Sequence, residues 1–462
     1  MKVVFVHGWS VRETDTYGAL PARLEAELSA RANSPVPVEE LYLGEYVSFD
    51  DEVTLDDIAR AFEQARRDRG LEQFAAVTHS TGGPVLRHWY DRYYRGAPGE
   101  CPMTHLVMLA PATHGSALAQ LGKSRVSRIK HWVEGGEPGV RILDWLELGS
   151  EEQWRLNERW LGFAGPKPFV FALTGQRIDR QFYDHLNSYT GEAGSDGVVR
   201  VAAANPNYSY IRLEQRGLGG ELTLAAAQES APLAFGVLPR RSHGGPRLGI
   251  MNSVTEDRAQ SHPTVEWVSR CLMVKTAGDY ENVRENLTAL TAFTQRSEAV
   301  ERVERMRGTA TYRTSRYAQI VFRVVDSRGE LLHDYDLLLT AGPEYSPDEL
   351  PPGFCVDRQR NRKQPGRLTY YVDYDLMKQL EQAPVDGRIG FRLVARPQSG
   401  LAYYAVAEFR SDIGGVTKLL RPNETLMVEI VVNRLVDQQV FVLNAGRTPR
   451  RIESRPSGRL AA

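Results

Sequence analysis

The segment Phe74-Ala75-Ala76-Val77-Thr78-His79-Ser80-Thr81-Gly82-Gly83-Pro84-Val85-Leu86 constrains this chain more than any other. Phe74 to Val77 is an apolar run of strand length. A polar, Gly-containing turn follows, and Val85, Leu86, Trp89 and Tyr90 then recur at helical spacing. Pro84 suits the first turn of a helix, whose N–H groups lack intrahelical partners anyway. The spacing predicts a strand turning sharply into a helix with a serine at the corner, the layout of a nucleophile elbow. There the Ser80 hydroxyl stands clear for a histidine to reach. The Thr81 N–H, at the helix start, can point at a developing oxyanion. Thr78 departs from G-x-S-x-G, since the first glycine of that pattern lets strand and helix pass closely. Taken alone, the segment also reads as a plain Ser/Thr/Gly turn.

At 462 residues the chain exceeds one ordinary core, so two domains are expected. A net charge of −1 argues against a dedicated nucleic-acid binder. Cys101, Cys271 and Cys355 have neither metal-like spacing nor the pattern of a disulfide framework. No metal and no cofactor is expected. Val3 to Val6 is too short for a signal-peptide core, and no run approaches the roughly 18 apolar residues of a membrane span. The protein is expected to be cytoplasmic at synthesis, with any secretion by a non-classical route.

Val3 to Val6 reads as a buried strand with His7-Gly8-Trp9 at its end, and the N–H near Trp9 is a second oxyanion donor. Thr54-Leu55-Asp56-Asp57 opens a capped helix whose inner face is Ile58, Ala61, Phe62 and Ala65, and Gly70 closes it. Further strands are expected at His105–Ala110, Phe169–Leu173 and Ala231–Leu238. Alternating strands and helices indicate a parallel sheet covered on both faces. The stretch of about 117–165 carries Trp132, Trp145, Trp154 and Trp160 and is expected to be a helical lid over an apolar groove. His114, at a strand end, is a competing base, with shaping the pocket its more ordinary role. Among acids, Asp196 lies in a Gly-flanked turn and Asp179 is the reserve, and either also reads as a turn aspartate. Among bases, His243 lies on a Gly-rich loop past the last strand. His262, just before Pro263, is the reserve and equally suits a helix start.

The order Ser80, Asp196, His243 is that of the α/β-hydrolase fold. Together with Val3-to-Trp9, the elbow, Pro111-Ala112-Thr113-His114-Gly115-Ser116 and Ser195-Asp196-Gly197-Val198-Val199, it resembles bacterial lipases and lipase-like phospholipases. Asp196-Gly197-Val198-Val199 is similar to the D-G-V-V turn that carries their triad aspartate, which favours Asp196 over Asp179. The resemblance covers residues 1 to about 275. It implies hydrolysis of lipid carboxylic esters through an acyl-serine, with Ser80 as nucleophile, His243 as base and Asp196 as its orienter. Thr81 and Trp9 would supply the oxyanion N–H groups. Lipase-like proteins with an accessory domain also include antibacterial effectors, so an immunity or delivery protein is among the partners suggested.

Beyond Glu281 a helix is expected, and after Gly308 the pattern turns to alternation, as in Leu368-Tyr370-Val372-Tyr374 and Leu426-Val428-Ile430-Val432. The expected organisation is an α/β-hydrolase domain over 1–278, a helical connector over 279–308, an antiparallel β-sandwich over 309–445 and a disordered basic tail over 446–462. Arg358, Arg360, Arg362 and Lys363, beside Phe354 in an expected loop, could meet anionic lipid head groups, while a solvated loop paired with local acids is the other reading. Two further functions remain open: a soluble short-chain esterase or acyltransferase, and a non-catalytic scaffold on a decayed hydrolase fold.

Overall fold

The computed structural model describes residues 2–7, 17–48, 50–97, 100–121, 139–163, 167–179, 192–217, 219–305, 308–382, 384–397 and 402–436. Trp9, Trp132 and the basic tail lie outside the described residues. Strands β1 (Lys2–His7), β2 (Val38–Tyr42), β3 (Phe74–His79), β4 (Met103–Leu109), β5 (Phe169–Thr174) and β8 (Ala234–Val237) form one sheet in the order β2-β1-β3-β4-β5-β8. Every pairing in it is parallel. Such sheets need cover on both faces, and continuous apolar strands supply it. Val4, Val6, Ala76 and Met108 face the core under α2 (Leu55–Asp68) and α3 (Gly82–Tyr93). Val3, Phe5, Val77 and Val107 face α1 (Leu20–Ala32), α7 (Pro263–Leu272) and α8 (Ala277–Ser297). The Thr54–Asp57 capping box opens α2, and Ile58, Ala61, Phe62 and Ala65 point inward, as the sequence predicts.

The C-terminal β-rich region differs from an antiparallel sandwich. Strands β6 (Tyr208–Gln215), β7 (Glu221–Glu229), β11 (Tyr317–Asp326), β12 (Tyr335–Ala341), β13 (Cys355–Arg360), β14 (Arg367–Asp373), β15 (Ile389–Ala395), β17 (Ala407–Arg410) and β18 (Thr425–Val432) form one nine-stranded sheet. Its order is β12-β15-β17-β7-β6-β18-β11-β14-β13, and β11–β18, β18–β6 and β17–β7 are parallel. Two short antiparallel pairs, β9 (Val300–Arg305) with β10 (Gly308–Arg313) and β16 (Ala402–Tyr403) with β19 (Leu435–Val436), lie outside it. The expected helix to residue 308 instead stops at Ser297, where β9 begins three residues later.

The sheet is curled upon itself. β15 and β11 are five steps apart in strand order, a span of roughly 24 Å at the usual strand spacing. Yet the Phe391 and Phe322 rings are 5.1 Å apart, edge to face. The Tyr370 hydroxyl of β14 likewise reaches the Leu337 carbonyl of β12 at 2.5 Å. The two wings enclose one core, so the packing is sandwich-like although the hydrogen bonding is continuous.

Two expectations need correcting. Helices α4 (Val140–Leu146) and α5 (Glu151–Trp160) occupy the second half of the expected lid, and Trp145, Trp154 and Trp160 are only 2–3 % exposed. Trp145 and Trp160 join the hydrolase core, while Trp154 packs with Tyr208, Tyr210, Val321 and Met427 on the outer face of the curled sheet. These helices are a wedge between two sheets, with their tryptophans turned inward and Glu152, Arg155, Glu158 and Arg159 of α5 exposed to solvent. The 351–366 region is not a single loop: Phe354 is buried and residues 355–360 are β13, while Arg358 and Arg362 are exposed. Arg360 donates to the carbonyls of Pro365 and Tyr335, and Lys363 pairs with Asp144 of α4 at 2.5 Å.

Removing the Trp154 side chain should leave a cavity between α5 and the curled sheet. We expect Trp154→Ala to cost about 3–5 kcal/mol in denaturant unfolding. A loss below about 1 kcal/mol, as for an ordinary surface substitution, would mean that the wedge carries little of the packing.

Candidate active site

The elbow forms as its sequence dictates. β3 ends at His79, α3 begins at Gly82, and Ser80 sits between them in the left-handed region at φ 52°. Such strain in a non-glycine residue persists only where its surroundings hold it. Here the Ser80 N–H donates to the Leu109 carbonyl at the end of β4, 2.9 Å away. The departure at Thr78 has a steric account. Thr78 is fully buried, and a Cβ on Gly82 would lie 3.1 Å from the Thr78 Cβ. Strand and helix therefore still pass closely, with the glycine on the helix side making the room.

Asp196 and His243, 47 residues apart, are brought together twice. The His243 Nδ1 lies 2.9 Å from Asp196 Oδ2, and the His243 N–H donates to the Asp196 carbonyl at 2.9 Å. Asp196 Oδ1 accepts from the N–H groups of Val198 and Val199 at 3.0 and 2.7 Å. With Nδ1 as the donor, the Nε2 of His243 is left with a lone pair, the form a general base requires. His79 completes the join, its Nε2 donating to the His243 carbonyl at 3.2 Å and its ring 4.6 Å from the His243 ring. Burial, with His243 beside it, pulls His79 well below the usual histidine range, so it stays neutral.

The flanks are held as firmly. Arg240, at φ 55°, donates its N–H to Glu298 at 2.6 Å, and Glu298 caps the end of α8. The Ser116 hydroxyl donates to the Val198 carbonyl at 2.6 Å, so the expected pocket-shaping segment supports the acid's turn.

The sequence matches no protein-family model and no curated protein. Among solved structures it is similar to phospholipase PlaB from Legionella pneumophila, at 49% identity over 99% of this chain and 98% of that one, with a TM-score of 0.91. The same Legionella protein in complex with thio-NAD matches at 49% identity over 99% of both chains, with a TM-score of 0.89. The chain belongs to the PlaB phospholipase family.

The remaining candidates of this PlaB-family chain fall outside that cluster. His262 is the N-cap of α7, where its Nδ1 accepts from the Thr264 N–H at 3.2 Å. Its Nε2 faces Arg241 at 2.8 Å and Ser253 at 3.1 Å. Asp179 is buried near the end of β5, and neither His243 nor His262 takes it as a partner. His114 is buried against Asn157, 3.1 Å from its Nδ1, and burial pushes it down to about 3. It joins the wedge to the hydrolase core. Sequence reasoning missed His79 and Glu298. The elbow motif itself places His79 next to the serine, whereas nothing in the sequence links Glu298 to Arg240.

Burial and the nearby Arg241 cation lower His262 from 6.5 to about 4. Between those values the unfolded chain binds a proton that the folded one refuses, so this site's stability is present above pH 6.5 and lost as pH falls towards 4. His262→Asn keeps an acceptor at the cap. It should flatten the fall of Tm across that window, with buried His114 and His79 retaining part of the slope. An identical Tm–pH curve would remove His262 from the acid sensitivity.

Proposed function

We propose that Ser80, His243 and Asp196 are the catalytic triad of a serine hydrolase that cleaves the carboxylic esters of phospholipids. The observation that carries this reading is the double Asp196–His243 contact beside an elbow serine at φ 52°. Membership of the PlaB family supports the substrate class. Ser80 Oγ attacks the ester carbonyl while His243 Nε2 takes its proton. Asp196 holds the imidazole in that tautomer and stabilises the imidazolium. The Thr81 N–H at the start of α3, with the N–H of Trp9, stabilises the oxyanion. Collapse of the tetrahedral intermediate leaves an acyl-serine, and His243 gives its proton to the departing alcohol. It then activates the water that releases the fatty acid.

Ser80→Ala should fold normally and retain less than about a thousandth of wild-type kcat on dispersed phospholipid. Asp196→Asn should cost about ten-thousandfold, as loss of the correct tautomer does. Asp179→Asn and His262→Ala should stay close to wild type. Activity surviving in Ser80→Ala would refute the nucleophile. An inactive Asp179 or His262 variant beside an active Asp196 or His243 variant would refute the triad.

Because the Legionella relative forms a complex with thio-NAD, we propose that this chain binds a nicotinamide dinucleotide as well. Calorimetric titration with NAD should show saturable binding. Absence of heat up to about 1 mM, where affinity falls to roughly −4 kcal/mol, would withdraw this part.

A further inference from the structure

The turn that carries Asp196 is held from two sides. Ser116 holds it from the hydrolase domain, and the curled sheet holds it from the other. The Tyr371 hydroxyl of β14 donates towards the carbonyls of Gly194 at 3.1 Å and Ala193 at 3.2 Å. Tyr317 of β11 stacks on Tyr371, 4.8 Å between centroids. Gly194, at φ 74°, lies so close that a Cβ there would collide with the Tyr317 ring and the Tyr371 hydroxyl. Arg200, 1 % exposed, closes the other end of the turn, where the Val201 N–H donates back to the Gly194 carbonyl at 2.9 Å. Its guanidinium donates to both Glu192 oxygens, at 2.9 and 2.7 Å, and to Asp357 of β13, and it lies over the Tyr371 ring at 4.2 Å.

A buried ion network of this kind adds little net stability, because desolvation offsets the attraction. What it fixes is geometry: bidentate and stacked contacts allow one arrangement and resist others. We infer that the curled sheet is a working part of the hydrolytic site, with Arg200, Asp357 and Tyr371 as positioning residues that hold the Asp196 turn in register with His243. This rests on the triad reading above. None of the three touches substrate, and each acts through the carboxylate.

The test uses the full chain and a double-mutant cycle on a short soluble ester. Tyr371→Phe and Asp357→Asn should each lower kcat about ten- to hundredfold, the loss expected for a displacement near 1 Å. KM should stay within about twofold, since ester binding is not altered. In an Asp196→Asn background the same substitutions should change kcat by less than about twofold, because the group they position is already gone. Arg200→Lys should recover part of what Arg200→Gln loses. Unchanged kcat in Tyr371→Phe and Asp357→Asn would overturn the inference. An equal loss with and without the Asp196 carboxylate would also overturn it, by marking a merely structural role. Should Tyr371→Phe fail to fold, Asp357→Asn, at a part-exposed carboxylate, decides the matter alone. If Asp196→Asn by itself leaves kcat intact, the triad reading falls and the clamp falls with it.

Discussion

Asp196 has no exposed surface, and much of the molecule is arranged to make that burial tolerable. An unpaired buried carboxylate costs several kcal/mol. Here three donors meet it: two backbone N–H groups of its own turn and the ring of His243. The first two require the tight Gly197-containing turn, with Gly197 at φ 99°. The third requires a loop from beyond β8 to arrive in register, which the His243 N–H to Asp196 carbonyl bond enforces. Satisfying the carboxylate and setting the imidazole tautomer are therefore one act. A geometry that stabilises the fold at this point also prepares the base.

The same economy extends to the wedge of α4 and α5. Trp160 lies under the buried Arg87 guanidinium, 4.5 Å from its carbon, and Arg87 donates to Asn157 at 3.0 Å. Asn157 in turn donates to the Thr113 carbonyl and faces His114. Its own carbonyl accepts from Tyr208 of β6 at 2.5 Å. A polar thread thus runs from α3 behind the elbow, through the wedge, to the curled sheet. Its ring stacking excludes water, and its hydrogen bonds then gain strength from the low local dielectric.

Much of this was legible in the residues. The elbow, the capping box of α2 and the parallel strands follow from local pattern, because each depends on side chains a few positions apart or on chain order alone. The preference for Asp196 over Asp179 rests instead on the resemblance to the D-G-V-V turn of lipases. What misled was exposure. Four tryptophans among charges read as a cover for an apolar groove, yet the three within the described residues are buried against a second surface that periodicity cannot reveal. For Arg360 and Lys363 the sequence left lipid head groups and local acids as equal readings for the same reason, since their acceptors lie on other elements. Strand alternation likewise predicts a two-faced sheet but carries no information on strand order, so the parallel β11–β18 and β18–β6 pairings were invisible.

Chain order explains why the two sheets cannot be separate machines. After β5 and the Asp196 turn, the chain does not return to the parallel sheet. It first lays down β6 and β7, which pair with β18 and β17 of the curled sheet, and only then enters as β8 and supplies the histidine loop. The acid and the base are therefore separated in sequence by a hairpin that belongs to the other sheet. β6 presents Tyr208 and Tyr210 to the wedge and Ile211 and Leu213 to the curled core. A register slip of one residue in β6 would exchange those faces. It would also move both ends of the hairpin, and with them the turn of Asp196 and the start of β8. The pairing of β6 with β18 over Tyr208 to Glu214 is thus a constraint on the distance between acid and base, imposed from outside the sheet that carries the serine.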